Sequence, residues 1–324
     1  MLLNRRLVRL KAFQSLYAFF NSKGEISKAQ THEWMHRNLF KGYELYLTYF
    51  LFIRELYHYI QAYNAEFKTK FRYDEKAYQA NERLLEHPVF QWAAESETLT
   101  KAFKNHKIVW NDDSNFLKKA FNRLKKTSYY QQELLSGKDI PEQKHHEAII
   151  QFLKDLILDD EDADVCFEKD FINWEDDKKT VLQVVNKTFK GNLVADELEE
   201  REKYLILYYP NKSDEIFEFA NGLISHTIEN DDYLHKLMLE KTEERWQPKN
   251  LAVIDVTLIK MITAELLYFS NIPPKVSINE YVELAKTYGT PNSKKFVNGV
   301  VNKIYHDLKD SNAMSKTDRG LLDN

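Results

Sequence analysis

The sequence reads as an all-α chain, and three observations carry that reading. Glycine and proline number only 8 and 7 in 324 residues, so breakers are sparse and helices should be long. Apolar residues recur at three- and four-residue steps in segment after segment, the period of one helix face. Nothing in the N-terminal half sustains the period-two alternation of a half-buried strand. The length also favours two domains over one.

The elements follow in order. Residues 5–20, RRLVRLKAFQSLYAFF, place Leu10, Phe13, Tyr17 and Phe20 on one face, with Asn4 as N-cap and Gly24 after the end. A second, strongly aromatic helix is expected over 39–67, with a polar connector before it. A third runs over 75–87 and stops at Pro88. Further helices are expected at 89–107, 114–135 and 141–158. The acidic run Asp159-Asp160-Glu161-Asp162-Ala163-Asp164 reads as a solvated connector. Residues 176–189 resume the helical pattern and end near Gly191. A charged stretch, Asp196 to Lys203, leads into the apolar run Tyr204 to Tyr209, which fits a short strand or a last helical turn.

The C-terminal third is the most legible. Helices are expected at 213–228 with Ser213 as cap, at 231–244, and from Asn250 to Phe269 after Pro248. Asn271-Ile272-Pro273-Pro274 makes a stiff link. Ser277 and Glu280 have the spacing of a capping box opening a helix over 278–288, which Gly289 would close in the left-handed conformation. A last helix, 293–309, buries Phe296, Val297, Val300, Val301, Ile304 and Leu308. Gly299 inside it suggests close helix packing, because glycine there costs about 1 kcal/mol against alanine. The polar tail after Asp310 is expected to fray or be disordered.

Composition excludes several classes. One cysteine, Cys166, rules out a disulfide framework and a cysteine zinc site, and favours a reducing compartment. The longest apolar run, Tyr46 to Ile53, is far short of a bilayer span, and the start lacks the features of a signal peptide, so a cytoplasmic location and no membrane contact are expected. A net charge of −4 argues against coating nucleic acid through bulk charge, but a local basic site remains open.

Near the end, Pro274-Lys275-Val276-Ser277-Ile278-Asn279-Glu280 flows into Glu283-Leu284-Ala285-Lys286-Thr287-Tyr288-Gly289. Ser293-Lys294-Lys295-Phe296-Val297-Asn298-Gly299 follows. This succession resembles the C-terminal signature of the NusB family. Asp255 and Glu265-Leu266-Leu267-Tyr268 match the helix before it, and Phe219-Ala220-Asn221-Gly222-Leu223 is similar to a further family segment with altered spacing. The opening Arg5-Arg6-x-x-Arg9 and Gln14-x-Leu16-Tyr17 resemble the family's first basic helix. The likeness covers roughly residues 1–20 and 213–310, which form one expected NusB-like helical bundle. Residues 21–212 are then a helical insertion of unknown role.

The resemblance implies a non-catalytic adaptor with no cofactor, acting in transcription antitermination of ribosomal RNA operons. It would hold a boxA-like single-stranded leader RNA together with a small ribosomal subunit protein equivalent to NusE, within the RNA polymerase antitermination complex; a homodimer is also open. It assigns RNA contact to Arg5, Arg6, Arg9, Lys294, Lys295 and Phe296, and partner contact to Asp255 and Asn292, where the family often carries an acid at the latter position. The chemistry agrees for the arginines. Cations at a helix start oppose its dipole, so the fold gains nothing from them, whereas a phosphate gains from both the guanidinium groups and the free N–H groups. Blander roles stand beside these. Phe296 lies on an apolar stripe and so also reads as core, and Asp255 reads equally as a first-turn acid.

Two other functions compete. One is a protein-interaction scaffold without RNA. The other is a zinc metallopeptidase, because His32-Glu33-Trp34-Met35-His36 spells H-E-x-x-H. That pattern is short, lies in an expected connector, and has only Glu55 as a third ligand candidate. No glycine-rich cofactor loop, P-loop or nucleophile elbow is present.

Overall fold

The computed structural model describes residues 5–69, 73–111, 115–192, 205, 215–242 and 251–321. All regular structure among them is helical, and none of these helices is long and apolar enough to cross a membrane. The chain forms two compact units. An insert unit holds Phe40–Tyr209 with Met1–Leu2, and a terminal unit holds Leu3–Leu39 with Pro210–Asn324. The division falls at 39/40, inside a helix, rather than near residue 20.

In the terminal unit, α1 (Arg5–Asn21) buries Leu7, Leu10, Phe13 and Leu16. The next helix, α2 (Lys28–Lys68), begins well before residue 39. Ser27 and Gln30 open it reciprocally: Gln30 N–H donates to Ser27 Oγ at 3.3 Å, and Ser27 N–H to Gln30 Oε1 at 2.8 Å. Thr31, Met35 and Leu39 are buried at four-residue steps. The supposed polar connector is therefore a helix whose buried stripe is narrow and partly polar.

α10 (Glu215–Glu229), α11 (Asp231–Lys241), α12 (Val253–Tyr268), α13 (Pro274–Tyr288) and α14 (Ser293–Asp310) complete this unit. α12 is apolar nearly all round and lies at its centre, contacted by α1, α10, α11, α13 and α14. The expected cap at Ser213, the Pro248 link, the charged stretch 196–203 and residues 204 and 206–210 lie outside the described residues.

Three local expectations fail here. α13 opens at Pro274 with Pro273 as N-cap, so Ser277 is inside the helix and forms no capping box. Gly289 has φ −89 and ψ −172, which is extended rather than left-handed. Glycine is needed there because an added Cβ would sit 2.4 Å from Ser293 Cβ. Gly299 faces open space, so close helix packing does not explain it.

The tail does not fray over its described part. Asn312, at φ 57, turns the chain back, and Ala313 N–H donates to Leu308 O. Lys316 Nζ donates to Phe269 O at 2.8 Å, and Thr317 N–H to Ser270 O at 3.0 Å. A short 3₁₀ turn, Asp318–Leu321, follows.

The insert unit contains α2 from Phe40 onward, then α3 (Glu75–Leu85), α4 (Pro88–Glu95), α5 (Glu97–His106), α6 (Phe116–Leu124), a π-helix (Tyr129–Leu134), α7 (Glu142–Asp159), α8 (Glu161–Glu168) and α9 (Trp174–Asn192). The helix expected over 89–107 is two, broken where Ser96 caps Leu99 N–H. The one expected over 114–135 becomes α6 and the π-helix. The acidic run is no connector: Asp160 caps α8, accepting from Asp162 and Ala163 N–H, and the acids of the first turn complement the helix dipole. The core is rich in aromatics, with Phe167 stacked on Trp174 at 4.5 Å.

Candidate nucleic-acid interface

The three arginines of α1 do not act together. Arg9 points inward and is 3% exposed, against a Glu265 carboxylate that is wholly buried. Its Nε donates to Oε2 at 2.9 Å and its Nη2 to Oε1 at 2.6 Å, a two-pronged pair. Ser277 Oγ and Tyr281 Oη donate to the same carboxylate at 2.6 and 2.9 Å. Burial alone would lower the Arg9 pKa, but the hydrogen bond and charge of Glu265 outweigh it and the net shift is upward. Burial, reinforced by Glu265, holds the Tyr281 phenol well above its ordinary value, so it stays a donor. Arg9 thus corrects the expectation of RNA contact. Its guanidinium ties α1 to α12 and α13, and presenting it to a phosphate would strand a buried carboxylate.

Arg5 and Arg6 remain at the surface. Arg5 pairs with Glu215 and lies 5.4 Å from the centre of the Phe219 ring. Arg6, with a side chain 70% exposed, is 3.8 Å from Glu280. From the far end of the sequence, Lys294 in the first turn of α14 is 3.6 Å from Glu283, and Lys295 beside it is exposed. Glu280 and Glu283 are three residues apart on α13, hence on one helix face. One cation from each cluster, nearly three hundred residues apart in sequence, therefore meets the same ridge. Exposed pairs of this kind are worth about 0–1 kcal/mol, so the cations can exchange a carboxylate for a phosphate at little cost.

The other named residues are placed differently. Phe296 is buried on the inner stripe of α14 with Val297 and Val300, so it is core and offers no open ring face. Asn292 is exposed at the N-cap of α14 and makes no side-chain cap bond. Asp255 sits in the first turn of α12 but is buried; burial raises its pKa, and a hydrogen bond from Ser293 opposes that. Its side chain is buried rather than presented at the surface.

The aromatic groups where α1 meets the end of α13 were not assigned RNA contact from sequence. Phe13 lies 6.2 Å from Tyr17 and 5.7 Å from Tyr288, both half-buried rings at the junction of α1 with the end of α13. Tyr17 stood inside the opening motif, whereas nothing in the sequence paired Tyr288 with it.

The H-E-x-x-H pattern lies on α2, so His32 and His36 do share a face. Both meet one acceptor, Asn221 Oδ1, at 3.1 and 2.8 Å, while Glu33 pairs outward with Arg37. Among the described residues, no group of three or more His, Cys, Asp or Glu side chains could hold a metal ion. The motif joins α2 to α10.

Comparison with known proteins runs from α9 to most of α14 and leaves α1 outside the family-model match. Residues 175–306 match the model of the NusB family. The chain is 36% identical over 146 residues to the transcription antitermination protein NusB of Salinibacter ruber, covering 45% of this chain and 91% of that protein. It is 38% identical over 106 residues to the NusB of Thermodesulfovibrio yellowstonii, covering 33% and 70%. A solved structure of T. maritima NusB is 34% identical, covers 39% of this chain and 87% of that one, and superposes with a TM-score of 0.28.

Proposed function

The chain belongs to the NusB family of transcription antitermination proteins, and from that premise we propose that it is an RNA-binding adaptor whose RNA contact runs along the α1–α13–α14 ridge. The observation that carries this is the meeting of Arg6 and Lys294 at Glu280 and Glu283. Arg5 and Lys295 extend the row of cations, and Tyr17 and Tyr288 lie at the same junction. Cations follow the backbone of a single strand, and a ring edge beside them receives a base. The RNA is a boxA-like leader segment, and a small ribosomal subunit protein equivalent to NusE binds beside it within the antitermination complex. The protein does no chemistry on the RNA.

Fluorescence anisotropy with a short boxA-like RNA, with and without the ribosomal protein, tests the reading. Tighter binding with the partner is expected, and a fall of at least tenfold in Arg6→Glu/Lys294→Glu. Those positions are exposed, so thermal stability should stay within about 0.5 kcal/mol. Equal, salt-insensitive binding of a scrambled RNA would falsify the proposal.

A further inference from the structure

The insert unit contains a cavity of about 470 Å³, a volume in the range of small-molecule sites. It opens where the end of α3, the turn into α4, the loop after the π-helix and the first turn of α7 converge. π-helical turns are rare and are frequently found at functional sites. This one orients two walls of the cavity. Tyr129 Oη is 2.5 Å from His145 Nδ1, and Leu134 O accepts from Arg83 Nη1 at 2.6 Å.

The loop then closes over Arg83. Gly137 has φ +72, a conformation that favours glycine, and a Cβ there would press on the Arg83 guanidinium at 3.1 Å from Nη2. Arg83 keeps further N–H donors beyond the one given to Leu134. The Tyr129 contact engages Nδ1 of His145 and leaves Nε2 as its second polar atom. Burial holds the His145 pKa below its ordinary value, so the ring is neutral at neutral pH. Its ring stands 5.5 Å from that of His87. Lys138 is exposed at the mouth, and α7 has Pro141 as its N-cap, with no side-chain cap bond.

The cavity is not simply a trap for anions, because Glu86, Asp139 and Glu142 also line it. Guanidinium, ammonium and an uncapped helix start suit a phosphate. Three carboxylates suit hydroxyl or amine donors. One class of ligand satisfies both sets. We propose that the cavity binds a small hydroxylated phosphate monoester. Its phosphate lies on Arg83, Lys138 and the first turn of α7, and its hydroxyl or amine donors on Glu86, Asp139 and Glu142.

Isothermal titration of the full chain with adenosine 5′-monophosphate, ribose 5-phosphate, inorganic phosphate and adenosine tests this. Binding of at least one ester is expected, with inorganic phosphate at least tenfold weaker and adenosine silent. Lys138→Glu, an exposed change that leaves the fold intact, should weaken the ester at least tenfold. Arg6→Glu in the terminal unit should leave it unchanged, which keeps this site separate from RNA contact. The proposal is overturned if no ester binds at millimolar concentration, if adenosine or inorganic phosphate binds as tightly as the esters, or if Lys138→Glu binds them as well as the native chain.

Discussion

Each unit buries an arginine, but in opposite ways. In the terminal unit Arg9 meets a buried carboxylate, and that carboxylate is filled by two more donors from α13. In the insert unit Arg54 is hydrogen-bonded by neutral acceptors instead, with the Glu55 charge acting on it only from the next residue. Its guanidinium donates to Ala93 O, Ser96 O and Thr100 Oγ1 at 2.8 to 2.9 Å and lies over Phe103. The difference is one of consequence. A buried ion pair is a poor source of net stability, yet losing one partner leaves an uncompensated charge, so it specifies one arrangement of α1, α12 and α13. A guanidinium held by neutral acceptors leaves only unfilled carbonyls when it goes. In the unit that bears the candidate interface, α1, α12 and α13 are thus held by an ion pair with both members buried.

The sharpest test of that contrast is Arg9→Met. It should destabilise the terminal unit by about 3–5 kcal/mol, read by hydrogen exchange in α1, α12 and α13. The double change Arg9→Met/Glu265→Leu should recover much of the loss; a double variant as unstable as the two single losses summed would remove the claim that the pair acts as a unit. Arg54→Met should cost less, about 1–3 kcal/mol, with the exchange loss confined to the insert unit. If Arg54→Met proves costlier than Arg9→Met under urea unfolding, the comparison fails.

The smallest effect is expected at the tail. Burial lowers the Lys316 pKa to about 8, against an ordinary value near 10.5. Folding therefore favours the neutral amine. Docking of the tail carries a charge penalty below pH 8 that is relieved as pH rises from about 8 to 10.5. Exchange protection at Thr317, whose N–H donates to Ser270 O, should increase over that window after correction for intrinsic rates, and Lys316→Met should flatten the trend.

Much of the helical order was legible because periodicity is local. The same locality explains the failures. Ser277-x-x-Glu280 and Ser27-x-x-Gln30 both have capping-box spacing, but only the second caps a helix. Ser277 was claimed by Glu265, twelve residues away, which no local pattern reveals. The acidic run at 159–164 looked solvated by charge alone, yet Asp160 is buried as the cap of α8. At the interface, Arg5, Arg6, Lys294 and Lys295 stood out because cations at helix starts are unfavourable for the fold, and they are at the surface. Arg9 carried the same signal and is buried.

The sequence by itself determined the helical class and the family, since these rest on spacing and on ordered motifs, and it supplied the cations of the candidate interface. Only the tertiary structure decided which arginine faces a carboxylate and which faces water, that Phe296 is core, that His32 and His36 clasp Asn221, and that Arg6 and Lys294 share one ridge. The physical reason is that burial and pairing depend on neighbours supplied by distant segments. A guanidinium is the same group in the sequence whether its partner is a buried glutamate or a phosphate.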